Sequence, residues 1–377
     1  MMEKRKWAKL GIETSLLGFG CMRFPKLENG QIDEQQATQM LEKAYQAGVN
    51  YYDTAYMYHD GASESFLGQW LDTKPRDSYF LTTKLPVMMI HSLEDAKRIY
   101  QEQKQRLGKD YFDFYLLHSL NKETFERAKK LGLIEFCEEL LEKGEIRHLG
   151  FSFHDDYEVF EEILRYRDWD MCQIQYNYTD RQIQAGDRGY ALAEELGIPM
   201  VVMEPVKGGS LAQFPDEVVE PFTAIDPSAS IASWAYRWVA SHPNVHVVLS
   251  GMSSLEQTED NVKTFTDFRP LSAAEEQAVE EVTERIRKRV NNGCTGCRYC
   301  MPCPAGVNIP RNFQLWNDYA MYRHPDSLEF AWTKEMPESE KAKNCIKCGK
   351  CEQICPQKLH IRDNLATLQK ELDALFV

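Results

Sequence analysis

Four side chains that together can deliver a proton to an oxygen stand at matching places in the first third of the chain. Asp53 closes the short apolar run 49–53, Tyr58 follows five residues later, Lys84 lies near the end of run 79–86, and His118 lies near the end of run 112–119. A free phenol titrates near ~10, so Tyr58 needs a neighbouring cation to become a useful acid. A lysine would do it, and the next such run ends in one, Lys84. A second set is made of sulfur. Of eleven cysteines, eight fall after residue 290, as Cys294, Cys297, Cys300 and Cys303-Pro304, then Cys345, Cys348, Cys351 and Cys355-Pro356. Thiolates at every third position wrap a tight turn around a metal–sulfur cube. Two Cys-x2-Cys pairs would be enough for a zinc ribbon; eight cysteines with two trailing Cys-Pro steps fit iron–sulfur better. Cys21, Cys137 and Cys172 have apolar neighbours and read as small core residues.

Asp53, Lys84 and His118 can meet only if the strands that carry them lie side by side with their C-terminal ends on one face. The rest of the chain supplies such strands. After an opening hairpin, the run 16–20 reads as a first barrel strand, with Gly20, Met22 and Arg23 in the loop leaving it. Helix signals follow, including Asp33 with Gln36 three residues on, a capping-box pattern. Later strands are expected at 146–152, 171–177, 199–205 and 245–251, with helices at 156–166, 189–196, 227–241 and 255–265. Eight strands alternating with helices predict an α/β fold, a closed (β/α)8 TIM barrel, followed by a small α-rich iron–sulfur domain. No Gly-x-Gly-x-x-Gly fingerprint follows a strand, which counts against a Rossmann fold. The expected division is a barrel over 1–268, a helical connector over 269–290 and the cysteine domain over 291–377.

Composition bounds the partners. The chain carries 44 Lys and Arg against 58 Asp and Glu, a formal net charge of -14, which repels nucleic acid and anionic membranes. No apolar run approaches the ~20 residues of a membrane helix, and the charged N-terminus has no apolar segment behind it, so a cytoplasmic location is expected. Disulfides are not expected in that compartment.

Asp53, Tyr58, Lys84 and His118, in this order and on these elements, resemble the catalytic tetrad of the aldo-keto reductases over residues 9–268. The resemblance implies hydride transfer between a nicotinamide, NADPH or NADH, and a carbonyl or alcohol substrate. Tyr58 would be the proton donor, Lys84 would lower its pKa, Asp53 would pair with Lys84, and His118 would hold the carbonyl oxygen. It also implies that Ser152 and Gln173 hold the nicotinamide carboxamide, that Met203 lies where many relatives stack an aromatic ring, and that Gln257 to Asn261 meet the adenosine. The loops after strands seven and eight, with Pro205, Lys207, Gly208, Gly209, Gly251 and Ser253, are the usual phosphate site of such a barrel. Two positions depart from the family: Phe153 stands where an asparagine is common, and no Lys or Arg lies between Gly251 and Gln257. A flavin would fit the same phosphate loops, but no flavin motif is legible.

The tail, over 291–361, resembles a bacterial-type ferredoxin with two 4Fe–4S clusters. By that pattern Cys294, Cys297, Cys300 and Cys355 hold one cluster, and Cys345, Cys348, Cys351 and Cys303 the other. Here the first motif is one residue short before its last cysteine, and about forty residues separate the two motifs. Three readings follow: an oxidoreductase whose clusters pass electrons between a partner carrier protein and the barrel site, a conventional nicotinamide carbonyl reductase whose clusters are structural or sensory, and a non-catalytic electron-transfer or redox-sensing subunit whose barrel only binds nucleotide. If Cys297 is a ligand, Cys297→Ala lowers iron from roughly eight to roughly four atoms per chain; iron and sulfide assays after anaerobic reconstitution check this.

Overall fold

Eight parallel strands close on one another. A short antiparallel hairpin, β1 (Lys4–Trp7) and β2 (Ile12–Ser15), precedes β3 (Leu17–Gly20), β4 (Tyr51–Asp53), β5 (Phe80–Leu85), β6 (Phe112–Leu120), β7 (Ile146–Phe153), β8 (Met171–Gln175), β9 (Met200–Met203) and β10 (Val245–Ser250). Strand β10 pairs back onto β3, which completes the barrel. This computed structural model describes residues 1–266, 268–294 and 296–376. The chain falls into two compact units, one of Met1–Gly208 with Ala229–Glu276 and one of Gly209–Ser228 with Gln277–Val377.

In the first unit, α1 (Glu34–Gln46), α2 (Ala62–Leu71) and α3 (Leu93–Leu107) are the first of the surrounding helices. Asp33 caps α1 by accepting from the Gln36 N–H at 3.0 Å, but the reciprocal half of the expected capping box is absent. The Asp33 N–H instead donates to the Pro25 carbonyl at 2.8 Å. Complete boxes sit instead at the start of α3, between Ser92 and Asp95, and of helix Lys122–Leu131, between Asn121 and Thr124. Helix Ile231–Ala240 begins later than its sequence suggests, because Asp226 takes the Ser228 N–H in a turn and Ser230 becomes the cap. Helix Gly186–Glu195 begins earlier than expected.

One buried cluster fills the barrel interior, with Tyr51, Phe114, Leu116, Met171, Val201, Val247 and Leu249 packed together with Trp7 of the hairpin. The Trp7 indole donates to the Thr14 hydroxyl at 2.8 Å, so even its polar atom is satisfied.

The second unit has its own core, built from Val307, Ile309, Phe313, Trp316, Trp332, Leu365, Leu368 and Leu372 among others. On helix Ile309–Tyr322, Phe313, Trp316 and Tyr322 are buried, and Tyr319, at the same helical spacing, packs partly buried against this core. Cys21, Cys137 and Cys172 are buried and free. Among the described residues no helix is long and apolar enough to cross a membrane.

Helices α2 and α3 touch at Gly68, where an added Cβ would stand 2.6 to 2.8 Å from backbone atoms of Leu107 and Arg106. Backbone cannot step aside as a flexible side chain can. Gly68→Ala therefore destabilises the barrel by about 1–3 kcal/mol, read as a lower urea midpoint with an unchanged slope.

Candidate functional site

Asp53 is the last residue of β4, and its register partner on β5 is Thr82, two residues before Lys84; Lys84 in turn pairs with Leu116 of β6, two residues before His118. Parallel pairing thus brings the three side chains to one end of the barrel. The Lys84 Nζ donates to Asp53 Oδ1 at 2.6 Å and to the Thr54 carbonyl at 2.8 Å, and lies 3.5 Å from the Tyr58 hydroxyl. The Tyr58 and His118 rings meet edge to face, with centroids 6.0 Å apart.

Burial sets the protonation states. The Asp53 carboxyl is pushed up by desolvation and drawn back by Lys84. Lys84 loses some preference for charge through burial, but Asp53 and Tyr58 more than restore it, so its pKa rises and it stays an ammonium. Tyr58 is a correction to the sequence reading. Lys84 does pull its pKa down, yet desolvation outweighs that pull and the net direction is upward. His118 is pushed down to about 3 by burial, then by the charge on Lys84 and by His154, so it is a neutral imidazole and cannot be the acid. Its Nδ1 is buried without a partner.

Tyr58 is presented by a strained turn. His59, Asp60 and Gly61 all have left-handed backbone, with φ of 52°, 55° and 91°, and only the last is glycine. Each non-glycine residue there costs about 1–2 kcal/mol. The restraint comes from behind. Arg106 on α3 donates to the Tyr56 carbonyl at 3.0 Å, its guanidinium lies 4.2 Å from the Tyr56 ring centroid, and it reaches the buried Glu64 at 3.2 Å. Glu64 accepts from Thr83 at 2.7 Å and Gln103 at 2.8 Å, and Gln103 also donates to the Lys84 carbonyl at 3.0 Å. Glu64, Gln103 and Arg106 escaped the sequence reading. The legible signal was Gln103, a polar residue in line with the apolar stripe Ala96, Ile99, Tyr100 and Leu107 of α3.

The expected nicotinamide residues divide into two groups. Gln173 has a buried carbonyl oxygen with no partner, which suits a carboxamide N–H, and Ser152 lies beside it in register, with its hydroxyl accepting from the Ser119 N–H at 2.7 Å. Arg23 lies across Gly251, close enough that a Cβ there would meet its side chain at 3.2 to 3.3 Å, and its guanidinium is 3.5 Å from the Cβ position of Gly208. The Ser253 hydroxyl donates to the Arg23 carbonyl, and the Gln257 side chain accepts from the Ser253 N–H. So the loops carrying Gly20, Met22 and Arg23, and Gly251 to Gln257, adjoin. Met22 is exposed, Met203 partly buried and Pro205 buried, while Gly209 belongs to the second unit. Two residues point elsewhere in this structure. Lys207 is held by both carboxylate oxygens of the buried Asp180, at 2.8 and 2.6 Å. Asn261 is buried and donates to the Ser250 hydroxyl at 2.9 Å.

In the second unit the eight cysteines surround two hollows. Cys294, Cys297, Cys300 and Cys355 line one, with Phe313, Leu359 and Ile361. Cys303, Cys345, Cys348 and Cys351 line the other, which Cys300 also borders. Burial pushes the Cys294 thiol up against the pull of the Gly296 N–H, and the nearby Cys297 and Cys355 sulfurs push the same way. Among the described residues no three His, Cys, Asp or Glu side chains converge as they would on a single metal ion. Sulfurs ringing a hollow suit a cluster rather than one ion.

The two motifs also share a backbone path. Gly296 and Arg298 flank Cys297 with positive φ, as Lys347 and Gly349 flank Cys348. Three residues after each Cys-Pro cysteine, Gly306 and Lys358 are again left-handed, and each returns its N–H to that cysteine's carbonyl, at 2.9 and 3.1 Å. Helices then begin at Ile309 and Ile361. The tail is therefore a structural repeat whose one-residue length difference is absorbed just before the fourth cysteine.

The model of the aldo/keto reductase family matches residues 16–284, and that of the 4Fe–4S dicluster domain matches residues 293–359. An NADH-specific methylglyoxal reductase of Escherichia coli is 25% identical over 326 residues, covering 74% of this chain and 96% of that protein. An uncharacterized oxidoreductase of Bacillus subtilis is 25% identical over 315 residues, covering 75% and 97%. Among solved structures, the holo form of an aldo-keto reductase from Bacillus halodurans superposes with a TM-score of 0.64 at 27% identity, covering 75% of this chain and 96% of that one.

The buried neutral state of His118 can be followed directly. An NMR titration of labelled histidine finds no protonation of His118 between about pH 7 and 4.5, and a midpoint near 6.5 would overturn the burial argument. Because the unfolded chain takes up this proton below about 6.5 and the folded one refuses it until about 3, His118 makes stability fall as the pH drops through that window.

Proposed function

Because the chain belongs to the aldo/keto reductase family, we propose that its barrel is a nicotinamide-dependent oxidoreductase that interconverts a small carbonyl compound and its alcohol, with Tyr58 as proton donor. The observation that carries this reading is the buried Asp53–Lys84 pair with its ammonium 3.5 Å from the Tyr58 hydroxyl. A phenol whose pKa is raised by burial keeps its proton in the resting site. As negative charge develops on the substrate oxygen the proton moves to it, and the ammonium of Lys84 stabilises the phenolate left behind. His118, neutral, donates its one ring N–H to that oxygen and orients it.

A bound nicotinamide supplies the hydride. Gln173 and Ser152 would hold its carboxamide, and Arg23 with the Gly251 loop would meet its phosphates. The absence of Lys and Arg between Gly251 and Gln257, together with the NADH specificity in the name of the Escherichia coli relative, supports NADH over NADPH.

Bound 4Fe–4S clusters supply one-electron steps. Cys294, Cys297, Cys300 and Cys355 would hold one, and Cys303, Cys345, Cys348 and Cys351 the other. The exchange of cysteines between the two motifs supports this assignment, since each hollow takes three sulfurs from one motif and the fourth from the other. We place the clusters in electron exchange with a carrier protein.

Tyr58→Phe removes the transferable proton and leaves the ring. With NADH and methylglyoxal as a test carbonyl, kcat falls by about 10²–10⁴ while nucleotide affinity, read by fluorescence titration, changes little. Full activity in the variant would remove Tyr58 from its role, and nucleotide binding without turnover of any carbonyl by the unmodified chain would favour the non-catalytic reading. Adding NADH anaerobically without substrate and following the visible cluster absorption tests whether the barrel and clusters share electrons.

A further inference from the structure

We propose that the surface around Cys345, Cys348 and Cys351 is the docking site for a small acidic one-electron carrier protein. This deepens the electron-transfer reading above and rests on a cluster being held there. Three large apolar side chains at the rim of this hollow stand open to solvent: Ile346 is 66% exposed, Tyr299 62% and Ile354 54%. One exposed apolar residue is ordinary, but three on the rim of one cofactor hollow mark an interaction site. Cys348 is itself exposed, so one edge of the sulfur quartet reaches the surface. Short electron-transfer encounters need only such a small face.

Charge identifies the occupant. Between Lys341 and Arg362 the chain carries six Lys or Arg and one Glu, a local balance of +5 on a chain of -14. Lys341 and Lys343 are engaged by Glu338, and Arg362 by Glu352. Lys347, Lys350 and Lys358 are exposed, and among the described residues none has an ion-pair partner. Lys347 and Lys350 border the hollow beside the apolar rim. An acidic protein would be repelled by most of this chain and steered to this face, whereas a basic carrier would be drawn elsewhere. In the encounter one electron passes from the reduced carrier to the oxidised cluster. The carrier is oxidised by one electron, the cluster is reduced by one, and no bond or proton changes hands.

The test uses the full chain with both clusters loaded, a plant-type 2Fe–2S ferredoxin as the acidic probe, and cytochrome c as a basic control. Affinity is read by calorimetry and the bimolecular electron-transfer rate by stopped flow, at about 20 and 300 mM salt. We expect the ferredoxin to bind, its rate to fall roughly tenfold or more with added salt, and cytochrome c to show no saturable binding at this face. Lys347→Glu with Lys350→Glu lowers the ferredoxin rate roughly tenfold at low salt, with iron content and reduction by dithionite unchanged. Ile346→Ala weakens binding at both salt concentrations. Loaded clusters with no ferredoxin binding, a rate indifferent to salt, or a double variant that shifts only the cluster potential would each overturn the docking proposal alone. A chain that takes up no iron would overturn the cluster reading beneath it as well.

Discussion

The buried contact between the Lys84 ammonium and the Asp53 carboxylate sets the electrostatics at the C-terminal end of the barrel. Their side chains are 1% and 4% exposed, so neither charge has water to fall back on. Ion pairs at that depth seldom stabilise a fold more than apolar residues of the same volume would, whereas removing one partner strands the other at a cost of about 3–5 kcal/mol. The pair is better understood as a means of holding a positive charge at a defined point. From that point Lys84 faces the Tyr58 hydroxyl and is the second cause, after burial, of the neutral state of His118. Tyr58, Lys84 and His118 therefore take their protonation states from one contact and from the exclusion of solvent around it.

The Tyr58 phenol that faces this charge is itself held in place. Tyr58 sits on a turn that would relax if left alone, since His59 and Asp60 hold left-handed backbone without being glycines. The Glu64, Gln103 and Arg106 network ties that turn, the strand carrying Lys84 and the face of α3 into one hydrogen-bonded block. Gly61 is part of the same solution, because a Cβ there would stand 3.1 Å from the Arg106 guanidinium. Local strain is thus offset by a buried polar network in which every named member has a partner.

The cysteine unit solves a different problem with less core. Two motifs of the same backbone path each contribute three cysteines to one hollow and the fourth to the other, so neither hollow is complete without both halves. Residues that the turns force into left-handed backbone alternate between glycine in one half and a basic residue in the other, as Gly296 with Lys347 and Gly306 with Lys358. Those basic residues remain at the surface, which is how a strongly acidic chain comes to carry a positive face.

Much of this was legible in the sequence. Alternating apolar strands and helices dictate a barrel, and a parallel barrel brings Asp53, Lys84 and His118 to one end whatever lies between them, because strand ends converge by construction. Cysteines at every third position with a trailing proline are as explicit, since that spacing is itself a local turn around a cofactor. The tertiary structure decided what depends on sums over residues distant in the chain. The Tyr58 pKa follows from burial by several elements and not from Lys84 alone, so its direction could not be read from a pair of residues. Lys207 and Asn261 lie on the expected loops, but their side chains are claimed by Asp180 and Ser250, partners that no local pattern announces. Glu64 and Arg106 are 42 positions apart and meet only when α2 and α3 pack. Periodicity records which face of an element is apolar, while the partner of a buried charge is chosen by packing, and packing exists only in three dimensions.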